Sequence, residues 1–186
     1  MTTKKIVFIA DMFAENFQGG AELVNEELIS LLIAKGHEVS KISCRFMTVN
    51  ILKSLLPYPI IVGSMISMSE EVKKELSSGK YKYLFYEHDH KYLPQRNPAN
   101  FVNYTAPTNT LVNVDFYKNA QAVLCQSAMH EEIINKNLNL SNTINLGSSL
   151  WGEGFLEQIS QIPITKTRNA AIVASTSSKL AVWFEN

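Results

Sequence analysis

Residues Lys5 to Ala10 (Lys-Ile-Val-Phe-Ile-Ala) form a nearly continuous apolar run rich in β-branched side chains, and this run narrows the possible folds sharply. Such a run reads as a strand buried on both faces, which is the environment of a central strand in a parallel sheet. After the loop Asp11 to Gly19, the residues Val24, Leu28, Leu31 and Leu32 recur at helical spacing up to Lys35, and Gly36 supplies a carboxyl-terminal stop. His37 to Ile42 reads as a second strand. Strand, helix and strand of this length make a βαβ unit, which demands a right-handed crossover and parallel pairing.

The pattern then repeats its logic. Ile60 to Val62 reads as a third strand. Ser69 to Ser78 reads as a helix with a serine cap, glutamates in its first turn and Gly79 as its stop. Lys82 to Tyr86 reads as a fourth strand. Beyond it lies a long polar stretch with Pro94, Pro98 and Pro107, with a short helix near Leu111 to Asn119. Ala122 to Cys125 is a fifth strand, Ser127 caps a helix through Lys136, and Thr143 to Leu146 is a short sixth strand closed by Gly147. Residues 148–169 carry no clear period. Ala170 to Ala174 reads as one more buried strand, with Ser177 and a short amphipathic tail, Lys179 to Asn186, after it. The predicted class is α/β, with a Rossmann-like doubly wound, mostly parallel sheet.

Composition removes several function classes. The chain has 186 residues, of which 46% are hydrophobic and 18% charged, so it can bury a core and is not disordered. Seventeen basic residues balance seventeen acidic ones, and no basic run is interleaved with aromatics, so no nucleic-acid partner is expected. No stretch approaches the ~20 apolar residues of a membrane span, and the first residues hold too short an apolar run for a signal peptide. The expected location is the cytoplasm. Cys44 and Cys125 lie in or beside apolar segments, without metal-binding spacing, and read as buried reduced thiols.

In an open α/β sheet, ligands bind beyond the carboxyl ends of the strands, which directs attention to the loops after strands one, four and five. Gln18-Gly19-Gly20-Ala21-Glu22 precedes a helix directly. Its missing Cβ atoms can let a phosphate or sugar approach backbone N–H groups and the positive helix end, or can serve only the turn itself. Neither a GxGxxG fingerprint nor a GxxxxGK[ST] loop occurs, so nicotinamide enzymes and P-loop NTPases recede. Tyr86-Glu87-His88-Asp89-His90 gathers two imidazoles and two carboxylates at a strand end, a set suited to acid–base chemistry, to ligand contact or simply to a solvated loop. His88 and His90 alternate sides if the backbone stays extended, and the chain names no third ligand, so no metal is expected. Ser127 lacks the glycines of a hydrolase elbow and reads as a helix cap. His37 reads as a packing or surface residue, and Trp151 and Trp183 as core or interface.

The succession of these segments resembles a family. Ile6 to Ala10, then Gly19-Gly20-Ala21-Glu22, then the helix ending Ala34-Lys35-Gly36-His37-Glu38-Val39, is similar to the opening of retaining, nucleotide-sugar-dependent glycosyltransferases of the GT-B fold. Ala122 to Ser127 with Glu131, Ile133 and Ile134 resembles the segment where such enzymes finish their N-terminal sheet. The resemblance covers most of residues 5–150. It implies an acceptor-side domain over residues 1–168, one half of a GT-B architecture, with residues 169–186 as the start of a second domain or a strand–helix tail.

By the same resemblance, Gly19 and Gly20 approach the donor diphosphate and His88 contacts the transferred sugar, with Asp89 beside it as the second catalytic candidate. Glu22 and His90 are further binding candidates. The co-substrate implied is a nucleotide sugar, the second substrate a saccharide, lipid-linked or protein acceptor, and no other cofactor is called for. The donor-binding acidic motif is absent and Leu180 stands where a glycine usually follows Lys179, which implies a separate donor-binding domain. Exposed apolar residues near such a boundary also favour a homo-oligomer. Two rival readings stay open: a self-sufficient small enzyme using His88 and Asp89 as an acid–base pair, and a non-catalytic binding or assembly module on the same fold.

Overall fold

A computed structural model describes residues 3–163. Six strands form one wholly parallel sheet in the order β2-β1-β3-β4-β5-β6. They are β1 (Lys5–Ala10), β2 (Glu38–Ser43), β3 (Ile60–Val62), β4 (Tyr83–Tyr86), β5 (Ala122–Cys125) and β6 (Thr143–Asn145). The helices are α1 (Gly20–Ala34), α2 (Val49–Ser54), α3 (Glu70–Leu76), α4 (Val114–Lys118), α5 (Ala128–Leu138) and α6 (Glu153–Ser160). The Rossmann-like α/β class expected from the sequence is the observed one, and β1 is interior as its apolar run requires.

Alternation along β1 divides the core between the two faces of the sheet. Ile6, Phe8 and Ala10 pack with Ile29 of α1 and Ile61, while Val7 and Ile9 face the larger cluster that holds Leu52, Val72, Leu76, Phe116 and Ile134. Among the described residues α1 therefore covers one face, and α2 to α5 cover the other. Crossover handedness is the cause: β1 to β2 steps one way along the sheet, and every later connection steps the other way.

Local signals set most boundaries. Gly36, Gly79 and Gly147 each adopt a positive φ, at +84°, +83° and +81°, a left-handed conformation in which a Cβ is costly. Ser69 accepts from the Val72 N–H, and Ser127 from the His130 N–H, as helix caps. The elements without a strong sequence signal are the short ones. α2, capped by Thr48 accepting from the Ile51 N–H at 3.2 Å, has six residues, too few to display a helical period. The polar stretch after β4 contains three single-turn 3-10 helices and is tied down by Asn137 of α5, which accepts from the Ala106 N–H and donates to the Tyr104 carbonyl.

The sheet-bearing unit ends at Trp151, and a second unit begins at Gly152. Within the second unit, α6 carries Phe155, Leu156 and Ile159, all exposed. The expected strand Ala170 to Ala174, the tail from Lys179 and Trp183 lie outside the described residues. Both cysteines are free and buried, and burial pushes the Cys125 thiol up to about 12. Among the described residues no helix is long and apolar enough to cross a membrane.

Aromatic side chains pack together under β4. Phe85 is fully buried and meets Phe116 and Tyr117 edge-to-face, with ring centroids 5.2 and 5.0 Å apart. Replacing Phe85 by Ala removes that ring from a close-packed site, and the expected loss is about 3–5 kcal/mol in urea denaturation, with Phe85→Leu losing less.

Candidate functional site

The loops that leave the carboxyl ends of the strands converge at one edge of the sheet. After β1, Asp11 turns into the β3–α3 loop, where its carboxylate accepts from the Ser64 hydroxyl, the Ile66 N–H at 2.9 Å, and the Ser67 N–H and hydroxyl at 2.7 and 2.6 Å. Burial raises the pKa of Asp11, but these donors outweigh it and hold the carboxyl below its usual range. Asp11 thus staples β1 to the loop after β3, between the two strands where the connection order reverses.

After β4, Glu87 is wholly buried. Its carboxylate accepts from the N–H groups of His88, Asp89 and Lys91 at 2.8, 2.7 and 3.2 Å, from the Tyr117 hydroxyl, and from Lys91 Nζ at 3.0 Å. Burial opposes ionisation here too, yet Lys91 and the Asp89 N–H keep Glu87 ionised, below the ordinary carboxyl range. Glu87 is therefore a fixed anchor rather than a proton carrier. It folds residues 88–91 into a tight loop and so sets the direction of His88.

His88 sits between two amides. Its Nε2 lies 3.0 Å from Asn25 Oδ1, and Gln126 Nε2 lies 2.8 Å from its Nδ1. The ring rests against Tyr86, centroid to centroid 4.4 Å. Burial pushes its pKa down to about 4, with Lys91 adding to the effect, so the imidazole is neutral near pH 7. Asn25 itself is 2% exposed, and a Cβ on Gly63 would come within 2.6 Å of its amide, so the glycine makes room for this side chain.

The two glycines before α1 have different tasks. A Cβ on Gly19 would meet the Glu22 carboxylate at 2.3 Å and the Phe17 ring at 2.6 Å, so Gly19 serves packing within the turn. A Cβ on Gly20 would meet nothing within 4 Å. No side chain caps the start of α1. Gly20 faces a pocket of about 230 Å³ whose wall includes Ala21, His88, Asp89, Gln126 and Trp151. A second pocket, of about 270 Å³, lies on the other side of Ala21 and Asp89 and is lined by Phe17, Glu22, Arg45 and Arg96 among others.

The structure thus brings Gly20, His88 and Asp89 together, with Glu22 in the adjoining pocket. Asp89 pairs with Arg96 at 3.3 Å. His90 departs from the extended backbone assumed for it: at φ 55° it packs on Tyr92 and His130 and lines neither of these two pockets. Trp151 is 47% exposed and belongs to a pocket wall rather than to the core. Among the described residues no three His, Cys, Asp or Glu side chains converge where a metal ion could be held.

Sequence reasoning missed Asp11, Asn25, Lys91, Arg45, Arg96 and Gln126. Two left a trace. Asn25 is a lone amide on the buried stripe of α1, and Lys91 stands four residues after Glu87, directly beyond a strand.

No family model matches the sequence, and no curated protein matches it. Among the solved structures that resemble it are two glucosyltransferase complexes. One is an alpha-glucosyltransferase in complex with UDP and a 13-mer DNA containing a HMU base, at 12% identity and a TM-score of 0.47, covering 77% of this chain and 42% of that one. The other is an alpha-glucosyltransferase in complex with UDP-glucose and DNA containing an abasic site, at 13% identity and a TM-score of 0.45, covering 76% of this chain and 42% of that one. The chain spans less than half the length of either. Likenesses this distant carry no argument about activity or ligand.

The geometry generates two expected outcomes. Glu87→Gln leaves Lys91 buried beside a neutral partner and should lose about 3–5 kcal/mol in chemical denaturation, whereas Glu87→Gln with Lys91→Met should recover part of that loss. The histidines make stability depend on pH. His88 and His90 have folded-state values of about 4, below the 6.5 of a free imidazole, so the folded chain binds fewer protons. Their contribution is complete above about pH 6.5 and is lost as the pH falls toward 4, so the melting temperature should drop across that window. A flat profile there contradicts the burial of both rings.

Proposed function

We propose that this chain is the acceptor-side half of a GT-B glycosyltransferase, which moves a sugar from a nucleotide-sugar donor to a saccharide, lipid-linked or protein acceptor. The observation that carries the reading is the uncapped start of α1, where Gly20 opens without a side chain onto the pocket shared with His88 and Asp89. Backbone N–H groups and the positive end of a helix are suited to a diphosphate. The sequence resemblance over residues 5–150 supplies the reaction class.

In this reading the protein's contribution is electrostatic. Fixed donors at the start of α1 stabilise the charge that develops on the leaving diphosphate. The neutral His88 ring and the Gln126 side chain form the uncharged part of the wall that the transferred sugar meets, and Asp89 stands beside them as its acidic group. Leaving-group stabilisation of this kind needs no proton carrier. That favours transfer over the rival in which His88 and Asp89 act as an acid–base pair, because both nitrogens of His88 are already bonded to amides.

Gly20→Val places a branched side chain in open pocket space and leaves the turn at Gly19 intact. Calorimetric titration with UDP, UDP-sugars and other nucleoside diphosphates, with a donor-binding domain from a homologous full-length enzyme added, should show binding with the wild-type chain and at least about tenfold weaker binding with the variant, a loss of about 1.4 kcal/mol. Unchanged thermal stability keeps the comparison clean. Equal affinity of the two proteins removes the helix start from the site and the reading with it.

A further inference from the structure

His88 is held from both sides by groups whose hydrogen-bonding sense is fixed. The Asn25 amide oxygen only accepts, so the His88 Nε2 facing it at 3.0 Å carries the proton. The Gln126 amide nitrogen only donates, so the Nδ1 facing it at 2.8 Å is bare. A single state satisfies both contacts: the neutral ring protonated on Nε2. Protonating Nδ1 sets two donors against each other across 2.8 Å and costs the Gln126 bond.

The residues that carry the two amides are held in place. Asn25 is 2% exposed on α1, and Gly63 lacks the Cβ that would displace it. The backbone N–H of Gln126 donates to His130 Nδ1 at 3.3 Å, which ties its main chain to α5. The charged groups acting on the His88 ring are Lys91, Glu87, Asp89 and His130, of both signs, and Glu87 and Lys91 are already paired with each other. The amides, not a net field, select the tautomer.

We propose that Asn25 and Gln126 are positioning residues that clamp His88 as the neutral, Nε2-protonated tautomer, so that the pocket at the start of α1 meets its ligand with a neutral imidazole wall. The role of Gly63 is to admit Asn25 to that clamp. The spectroscopic part of this inference stands without the proposed function, and only its ligand readout rests on it.

The test is imidazole ¹⁵N NMR of the full chain between pH 7.5 and 5, with UDP titrated at both ends of the range. The wild-type ring should show the Nε2–H signature throughout, and UDP affinity should change by less than about twofold. Asn25→Asp keeps the acceptor but adds a negative charge beside Nε2, and should move the His88 midpoint up to 6.5 or above. UDP affinity in that variant should then rise several-fold on acidification. Gln126→Glu is the second variant, should the first fail to fold: its carboxylate accepts where the amide donated, so Nδ1 should gain a proton.

An Nδ1–H signature in the wild type, or a wild-type midpoint near 6.5, overturns the clamp. So does an unshifted midpoint in both variants. If UDP binds at no pH while the tautomer shifts as described, the nucleotide-sugar reading fails and the clamp stands.

Discussion

The buried Glu87–Lys91 pair is the interaction on which the pocket-bearing edge of this protein depends. A carboxylate with no solvent exposure persists only if its lone pairs are met, and Glu87 meets them with three backbone N–H groups, a phenol and an ammonium. The consequence is geometric. Residues 88–91 have little freedom left once those bonds form, so His88 is delivered toward α1 while His90 is turned toward α5. Tyr117, which closes the set, is also part of the aromatic packing under β4, so the loop and the hydrophobic core stabilise one another.

A second carboxylate does similar work at the other side of the pocket. Asp11 gathers the donors of the β3–α3 loop and joins it to β1. Between these two anchors α1 starts without a side-chain cap, which leaves the first N–H groups of the helix turned to the pocket. Glu87, Lys91 and Asp11 are thus committed to structure, and the pocket at the start of α1 is left with an amide, a neutral ring, glycine and Asp89, which pairs with Arg96. Such a wall offers fixed dipoles rather than proton exchange, and the proposed transferase reading rests on that difference from an acid–base one.

Much of the fold was legible. The runs at Lys5–Ala10, Ile60–Val62 and Ala122–Cys125 coincide with β1, β3 and β5, because strands buried on both faces must be apolar throughout. The caps at Ser69 and Ser127 and the stops at Gly36 and Gly79 were readable for a comparably local reason. α2 and the 3-10 turns of the polar stretch were not, since their stability comes from tertiary packing and from the distant Asn137 rather than from a period. Of the residues that line the pocket at the start of α1, His88 and Asp89 stood out as polar residues beyond a strand and Gly20 as a glycine directly before a helix. The tasks of Gly19, His90 and Trp151 were not, because each depends on what lies opposite in space.

By itself, then, the sequence determined an α/β chain with parallel strands, the places where helices start and stop, and the strand-end loops in which polar side chains gather. These are properties of hydrophobic period, chirality and local capping, which act over a few residues. Only the tertiary structure decided that Asn25, Gln126, Glu87 and Lys91 govern His88, and that Gly20 rather than Gly19 opens to the pocket. Hydrogen-bond satisfaction and steric room are set by neighbours in space: Asn25 reaches His88 across 63 positions of chain, a relation that no local pattern encodes.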